Sequence, residues 1–194
     1  MSKAIEVEIR ILLRHRKAIE DKLRFLGAKT VGVSRLTDYW YCPAAAKNFR
    51  QAGTEKTGFA LRIRESVNPY GGRKTSTLEC KTLCDGKDHS LCHEHEMVLS
   101  DVAAMRHILA DIGLREFLAV AKERTVYRYK RVKFCFDKIK GVGDGLEMEI
   151  MTKNNLTGAK QKLISLAGEL GIKRQEILKK SLTYLAMEKL SKFE

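Results

Sequence analysis

Near the start of the chain, Ile5, Val7, Ile9 and Ile11 alternate with Glu6, Glu8 and Arg10. A period of two places the apolar side chains on one face of a β-strand and the charged ones on the other. Over residues 17–26 the period changes: Ala18, Ile19, Leu23 and Leu26 recur at helical spacing, and Gly27 supplies a C-terminal cap. Residues 30–41 are rich in β-branched and aromatic types and predict a strand, which Pro43 ends because proline cannot donate to a ladder. A long loop is expected over 43–57. Residues 59–64 alternate again, with Leu61 and Ile63 opposite Arg62 and Arg64, and residues 75–83 predict a fourth strand that carries Glu79 and Lys81. Residues 85–90 read as a polar loop.

The same order then returns. Glu94-His95-Glu96 answers Glu6-Val7-Glu8, and a helical pattern of Val102, Met105, Ile108, Leu109 and Ile112 ends at Gly113 as the first ended at Gly27. Tyr127 follows Gly113 at the interval at which Tyr41 follows Gly27. Strands are predicted over 120–128 and 132–139, and Leu146-Glu147-Met148-Glu149 answers Leu78-Glu79-Cys80-Lys81. A β-α-β-β-β unit used twice, over about 3–83 and 91–152, supplies enough strands to close an antiparallel barrel without edges. Beyond it, Leu163, Ile164, Leu166, Ala167 and Leu170, then Ile177, Leu178, Leu182, Leu185, Ala186 and Leu190, predict two helices within 155–191. The expected fold is α+β, a closed eight-stranded antiparallel β-barrel with helices packed outside. It forms a single domain over 1–194.

For any one strand, a charged face is ordinarily a solvated one. Here nearly every strand has one: Lys122, Arg124 and Arg128, then Lys133 and Asp137, then Glu147 and Glu149 continue the alternation. The amphipathic helices need an apolar surface to cover, and covering the apolar strand faces from outside turns the charged faces inward. Paired carboxylates are hard oxygen ligands suited to Mg²⁺ or Mn²⁺, while guanidinium and ammonium groups neutralise phosphate oxygens. Metal with polyphosphate satisfies both sets.

Composition narrows the partners. With 37 Lys and Arg against 24 Asp and Glu, the formal charge is +13, which favours anionic ligands such as nucleotides, polyphosphate, nucleic acid or lipid headgroups. No apolar run approaches the roughly 18 residues of a membrane span, and residues 1–10 lack the apolar stretch of a signal peptide, so a soluble cytoplasmic protein without a membrane partner is expected. The odd number of cysteines, five, is read as reduced thiols; Cys80, Cys84, Cys92 and His93 raise a zinc site, against which stands the absence of a C-x-x-C pair. Gly141 to Gly145 lacks the lysine and following helix of a P-loop and reads as a tight turn. Trp40 reads as a packing residue.

Glu6-Val7-Glu8-Ile9-Arg10 resembles the E-x-E-x-K signature that opens proteins of the CYTH family, the triphosphate tunnel metalloenzymes that include class IV adenylyl cyclases and thiamine triphosphatases; Arg10 stands where lysine is usual. Asp38 to Tyr41 looks like the family's D-x-Y-F segment, Ala60 to Arg64 like its A-L-R-I-R strand, Glu94 and Glu96 like its E-x-E, and Lys122-Glu123-Arg124 like its K-x-R. Asp137 to Gly143 and Glu147-Met148-Glu149 match D-x-V-x-G-x-G and E-I-E, whereas Lys81-Thr82-Leu83-Cys84 departs from K-G-P-K. The resemblance implies a tunnel in which Glu6, Glu8, Asp137, Glu147 and Glu149 hold Mg²⁺ or Mn²⁺. It implies triphosphate contacts from Arg10, Arg62, Arg64, Lys81, Lys122, Arg124 and Lys133, with Arg10, Lys81 and Asp137 catalytic. The implied activity is hydrolysis of a phosphoanhydride bond in inorganic, thiamine or nucleoside triphosphate. A class IV adenylyl cyclase, converting ATP to cyclic AMP and pyrophosphate, is the alternative, and the segment Lys180 to Leu185 looks like the K-S-Y-x-E-L ending of cyclase-type relatives. A module that holds polyphosphate or an RNA 5′ triphosphate without turnover is the third reading. A homodimer is compatible with all three.

Overall fold

The alternating segments form eight strands and the periodic ones helices, in a computed structural model that describes residues 4–53, 57–84 and 90–190. In chain order they are β1 (Ile5–Leu13), α1 (Arg16–Phe25), β2 (Lys29–Pro43), α2 (Phe49–Ala52), β3 (Phe59–Val67), β4 (Thr75–Leu83), β5 (Leu91–Val98), α3 (Val102–Asp111), β6 (Leu114–Tyr129), β7 (Val132–Ile139), β8 (Gly143–Thr152), α4 (Leu156–Glu169) and α5 (Leu182–Leu190), with a 3₁₀ turn at Arg174–Glu176. Gly27 and Gly113 end α1 and α3 in the left-handed region, at φ +92° and +81°, where a Cβ would be strained. The expected loop over 43–57 contains the short α2, capped by Asn48. Residues 85–89 of the expected polar loop lie outside the described residues.

The strands close into an antiparallel barrel in the order β1-β5-β4-β3-β2-β6-β7-β8. Each repeat gives its first strand to the other: β1 pairs with β8, and β5 with β4. The register also corrects the internal alignment. Lys81 lies opposite Glu94 as Glu149 lies opposite Glu8, and Glu79 lies opposite Glu96 as Glu147 lies opposite Arg10. Glu94 is therefore the counterpart of Glu8 and Glu96 of Arg10, two residues away from the match that their sequences suggest. A shift of two keeps the same face, so their inward direction stands.

Outside the barrel, Val7, Ile9 and Ile11 pack with Phe134, Phe136, Leu146 and Met148 under Leu23 of α1 and Leu163, Leu166 and Ala167 of α4. Burying a leucine of this kind contributes roughly 1.5–3 kcal/mol. Leu109 of α3 covers Tyr41, Leu61 and Ile63 in the same way. α5 behaves differently. Its Leu182, Ala186 and Met187 pack with Trp40, Leu118, Val120 and Ile139, which the register puts on the inner face beside Arg62, Asp38 and Lys122. A Cβ added at Gly141 would lie 2.6 Å from Leu190, and one at Gly145 would lie 2.5 Å from Leu182, so α5 sits tight against the end of the barrel marked by the β7–β8 turn.

Ile177 and Leu178 precede α5 rather than belong to it. β1 pairs with β5 only at Glu6 and Val7, which leaves backbone groups further along β1 in need of partners. Leu178 donates its N–H to the Arg10 carbonyl at 2.8 Å, and Ile177 forms a bridge with Ile11. The apolar period through Ile177 and Leu178 thus reflects burial beside β1 and not a helical turn. Among the described residues, no helix is long and apolar enough to cross a membrane.

Candidate active site

Because β1, β3, β4, β5, β6, β7 and β8 all turn their charged faces inward, Glu6, Glu8, Arg10, Arg62, Arg64, Glu79, Lys81, Glu94, Glu96, Arg124, Lys133, Glu147 and Glu149 line one cavity, with about 150 Å³ of free space. Seven of these are carboxylates and six are cations. The lining is thus slightly acidic in a chain of formal charge +13, and the positive excess lies elsewhere.

Each interior cation is held by a carboxylate. Arg64 grips Asp38 with two bonds, Nε to Oδ1 at 2.6 Å and Nη2 to Oδ2 at 2.9 Å, while Arg62 reaches Glu79 from Nε at 2.8 Å and Asp38 at 3.4 Å. On the opposite wall Arg124 makes two 2.6 Å bonds to Asp137 and a third to Glu147 at 2.9 Å. Lys122 lies between the two systems, 3.0 Å from Asp38 and 3.3 Å from Asp137. The register makes Asp38–Arg64 the counterpart of Arg124–Asp137, so the two repeats carry the same fork with its charges exchanged.

Burial opposes charge on Asp38, Arg62, Glu79, Arg124, Asp137 and Glu147, and their partners outweigh it. Lys122, Arg62 and Arg64 hold the Asp38 carboxyl well below the usual range despite burial. Burial likewise raises Glu147, but Arg124, Lys122, Lys81 and Arg10 bring it far below its ordinary value. For Arg62 and Arg124 desolvation acts downward, and Asp38 with Glu79, and Asp137, raise them above the normal guanidinium range. Glu94 goes the other way. Burial first, then its hydrogen bond with Glu6, pushes it up to about 7.

Glu6, Glu8 and Glu149 bring carboxylate oxygens within 4.8 Å of one another, all three residues being buried. Lys81 lies 2.7 Å from Glu6, Lys133 lies 2.8 Å from Glu149, and Arg10 contacts Glu8. Three converging oxygen donors fit a hard divalent cation such as Mg²⁺ or Mn²⁺. Glu147 and Asp137 stand apart from this cluster among the described residues, engaged by Arg124. Beside Arg62, whose guanidinium carbon is 5.0 Å from its ring centre, Trp40 forms part of the wall, and its buried indole N–H has no acceptor among the described residues.

A family model described as the CYTH domain matches residues 4–182. The chain belongs to the CYTH family. It is 26% identical over 183 residues to a protein of Methanocaldococcus jannaschii described as a candidate adenylate cyclase, covering 91% of this chain and 95% of that protein. It is 29% identical over 108 residues to the adenylate cyclase CyaB of Aeromonas hydrophila, covering 55% and 56% of the two chains. A Pyrococcus horikoshii structure superposes with a TM-score of 0.79 at 24% identity, over 94% of this chain and 98% of that one. A candidate adenylyl cyclase of Hippeastrum with a dominant triphosphatase activity superposes at 0.61 and 17% identity, over 99% of both. These structures share the tunnel fold.

In this CYTH barrel the predicted residues Glu6, Glu8, Arg10, Arg62, Arg64, Lys81, Arg124, Lys133, Glu147 and Glu149 come together around one cavity, with Lys122 and Asp137 on the same inner face. Glu94 and Glu96 line it too, as their parity requires. The sequence pattern did not single out Asp38 and Glu79 as site residues, although each shares a face with predicted ones, and it raised Cys92 only for zinc, not as part of this cavity. Ser181 and Thr183 fall in the segment that resembles the K-S-Y-x-E-L ending, but neither they nor Met187 were read as lining the cavity, which they reach because α5 lies across the barrel end.

Proposed function

We propose that this CYTH chain is a divalent-metal-dependent enzyme that hydrolyses a phosphoanhydride bond of a triphosphate, inorganic, thiamine or nucleoside. The observation that carries the reading is the buried Glu6, Glu8 and Glu149 cluster set among Arg10, Lys81 and Lys133 in one cavity. Seven carboxyl groups against six cations offer a polyanion no net positive charge, so such a lining suits phosphate best together with added positive charge. This favours metal-assisted turnover over a passive phosphate-binding module. Glu6, Glu8 and Glu149 would hold Mg²⁺ or Mn²⁺, which when bound supplies charge stabilisation at the phosphoryl oxygens.

Arg62, Arg64 and Arg124 would position the phosphates. A guanidinium has five N–H donors, and Asp38 takes two of those of Arg64, which fixes its plane while leaving donors for a ligand. Lys81, Lys133 and Arg10 would exchange their carboxylate partners for phosphate oxygens once a cation neutralises Glu6, Glu149 and Glu8. Catalysis in such a site comes from positioning and charge neutralisation, with a water molecule admitted to the cavity as the attacking nucleophile and the phosphate product as leaving group. The free cysteines among the described residues fit a reducing compartment, and we assign the enzyme to the cytoplasm.

The names of the two curated relatives favour a second reading, a class IV adenylyl cyclase. Products separate the two. The protein is to be incubated with triphosphate, thiamine triphosphate and ATP, each with Mg²⁺, with Mn²⁺ and with EDTA, while phosphate, pyrophosphate and cyclic AMP are measured separately. Phosphate release that disappears in EDTA is expected. Cyclic AMP as the main product from ATP would replace hydrolase by cyclase, and undiminished turnover in EDTA would sink the metal reading.

A further inference from the structure

The row of residues that carries the carboxylate cluster continues past the cavity. Glu8 lies opposite Glu149, Glu149 opposite Lys133, Lys133 opposite Arg128, and Arg128 opposite Lys29. Directly opposed residues of antiparallel strands point to the same face, so Arg128 and Lys29 belong to the inner face, one and two strands beyond Lys133. Lys133 is held by Glu149 at 2.8 Å. Arg128 and Lys29 are exposed and, among the described residues, have no carboxylate partner, and the exposed Lys130 and Arg131 follow in the β6–β7 turn. Lys17, Arg24 and Lys74, also exposed, each lie within 3.0 Å of a carboxylate oxygen. Uncompensated like charges gathered on one rim are unfavourable until an anion joins them.

The placement of this rim gives it a use. β7 runs from the β6–β7 turn to the β7–β8 turn, and α5 packs at the second. One end of the barrel is therefore covered by a helix, and the other is edged by Lys29, Arg128, Lys130 and Arg131. We propose that Lys29 and Arg128 form an outer anion subsite for a linear polyphosphate chain that runs on past the three phosphates held inside. The proposal rests on the triphosphate reading of the cavity. A polyphosphate chain is recognised by charge alone, whereas an RNA 5′ end gains most from base stacking. The aromatic ring next to these cations in the turn is Tyr129, and Lys130 already lies 4.8 Å from its centre, so the rim fits the inorganic chain better.

Trp40 is the single tryptophan and lines the cavity, so its fluorescence reports occupancy. Stopped-flow titration with Mg²⁺ present, read before turnover, would compare triphosphate, tetraphosphate and a chain of about fifteen phosphates. Wild-type protein should bind the longer chains about tenfold more tightly than triphosphate, the scale of one or two charge-assisted contacts. The K29A/R128A double variant should bring them down to the triphosphate value, while Lys179→Ala should preserve the difference. Equal affinity for all lengths in the wild type, or a length dependence that survives K29A/R128A, overturns the subsite while leaving the cavity reading intact. A double variant that loses 5′-triphosphorylated RNA but keeps its preference for long polyphosphate also overturns it, by assigning the rim to nucleic acid. Wild-type protein that fails to bind triphosphate at all would instead remove the cavity reading on which the subsite depends.

Discussion

Arg124 donates to both oxygens of Asp137 and to Glu147, so deleting its side chain leaves two carboxylates short of their main counter-charge. Arg124→Ala should lower stability by about 3–5 kcal/mol in urea denaturation. Arg124→Lys should recover only part, because an ammonium cannot make the two-pronged bond. A loss under about 1 kcal/mol would mean that Lys122 suffices for Asp137. Glu94 makes the opposite kind of prediction. Its folded value of about 7 stands above the unbound 4.5, so the native state holds the proton more tightly than the unfolded chain. Its contribution is therefore present below pH 4.5 and is lost as pH rises through about 7. In metal-free protein, Glu94→Gln should abolish a fall in stability of about 2 kcal/mol between pH 5 and pH 8, read by denaturation at both. An unchanged slope in the variant would place the proton elsewhere. At this scale the basic residues were legible because arginines alternating with apolar residues are conspicuous. Asp38 was not, since an acid on a strand reads as solvated until its three cations are brought to it from β3 and β6.

Gly141 adopts φ +76° against Leu190, and Leu182 is 2% exposed against the inward-facing cluster around Trp40. Leu182→Ala should cost roughly 2–4 kcal/mol, and Gly141→Ala about 1–2 kcal/mol from backbone strain and collision with Leu190, both read from thermal or urea midpoints. If α5 were only an outer cover, Leu182→Ala would fall below about 1 kcal/mol and leave Trp40 fluorescence unaltered. Most strands could be read close to their ends, because a period of two has a single physical meaning on a half-buried sheet, but β6 begins at Leu114 rather than at the expected 120 and β8 extends on both sides of Leu146 to Glu149. α5 could be found but not placed: apolar period shows that a face is covered and says nothing of which surface covers it. The same limit explains Ile177 and Leu178, whose burial comes from lying along β1. It also explains the two-residue displacement between the repeats, since parity preserves faces while only hydrogen-bonded register settles equivalence.

The molecule as a whole separates charge by layer, with an acidic-leaning cavity inside a chain of +13. An anionic substrate is drawn toward the exterior before it meets the paired interior, so kcat/KM for triphosphate should fall severalfold between roughly 50 and 200 mM salt. The deficit caused by Arg62→Ala relative to Lys179→Ala should survive the added salt, because contacts inside a narrow cavity are poorly screened. Losses in both variants that vanish together would point to diffuse surface attraction. Mg²⁺ at about a hundred times its dissociation constant should raise unfolding free energy by about 2.7 kcal/mol, and no rise would show that the cluster does not take the ion. The exchange of first strands between the repeats reaches further, into biosynthesis. Glu6 and Glu8 lie on β1, whose long ladder is with β8, while Glu149 lies on β8 itself. During translation β1 therefore emerges first and waits through the making of seven other strands, with the apolar face of Val7, Ile9 and Ile11 bare. Until β8 has left the ribosome that strand is an open edge exposed to chaperones and to neighbouring nascent chains, and the three glutamates come together only when the barrel shuts.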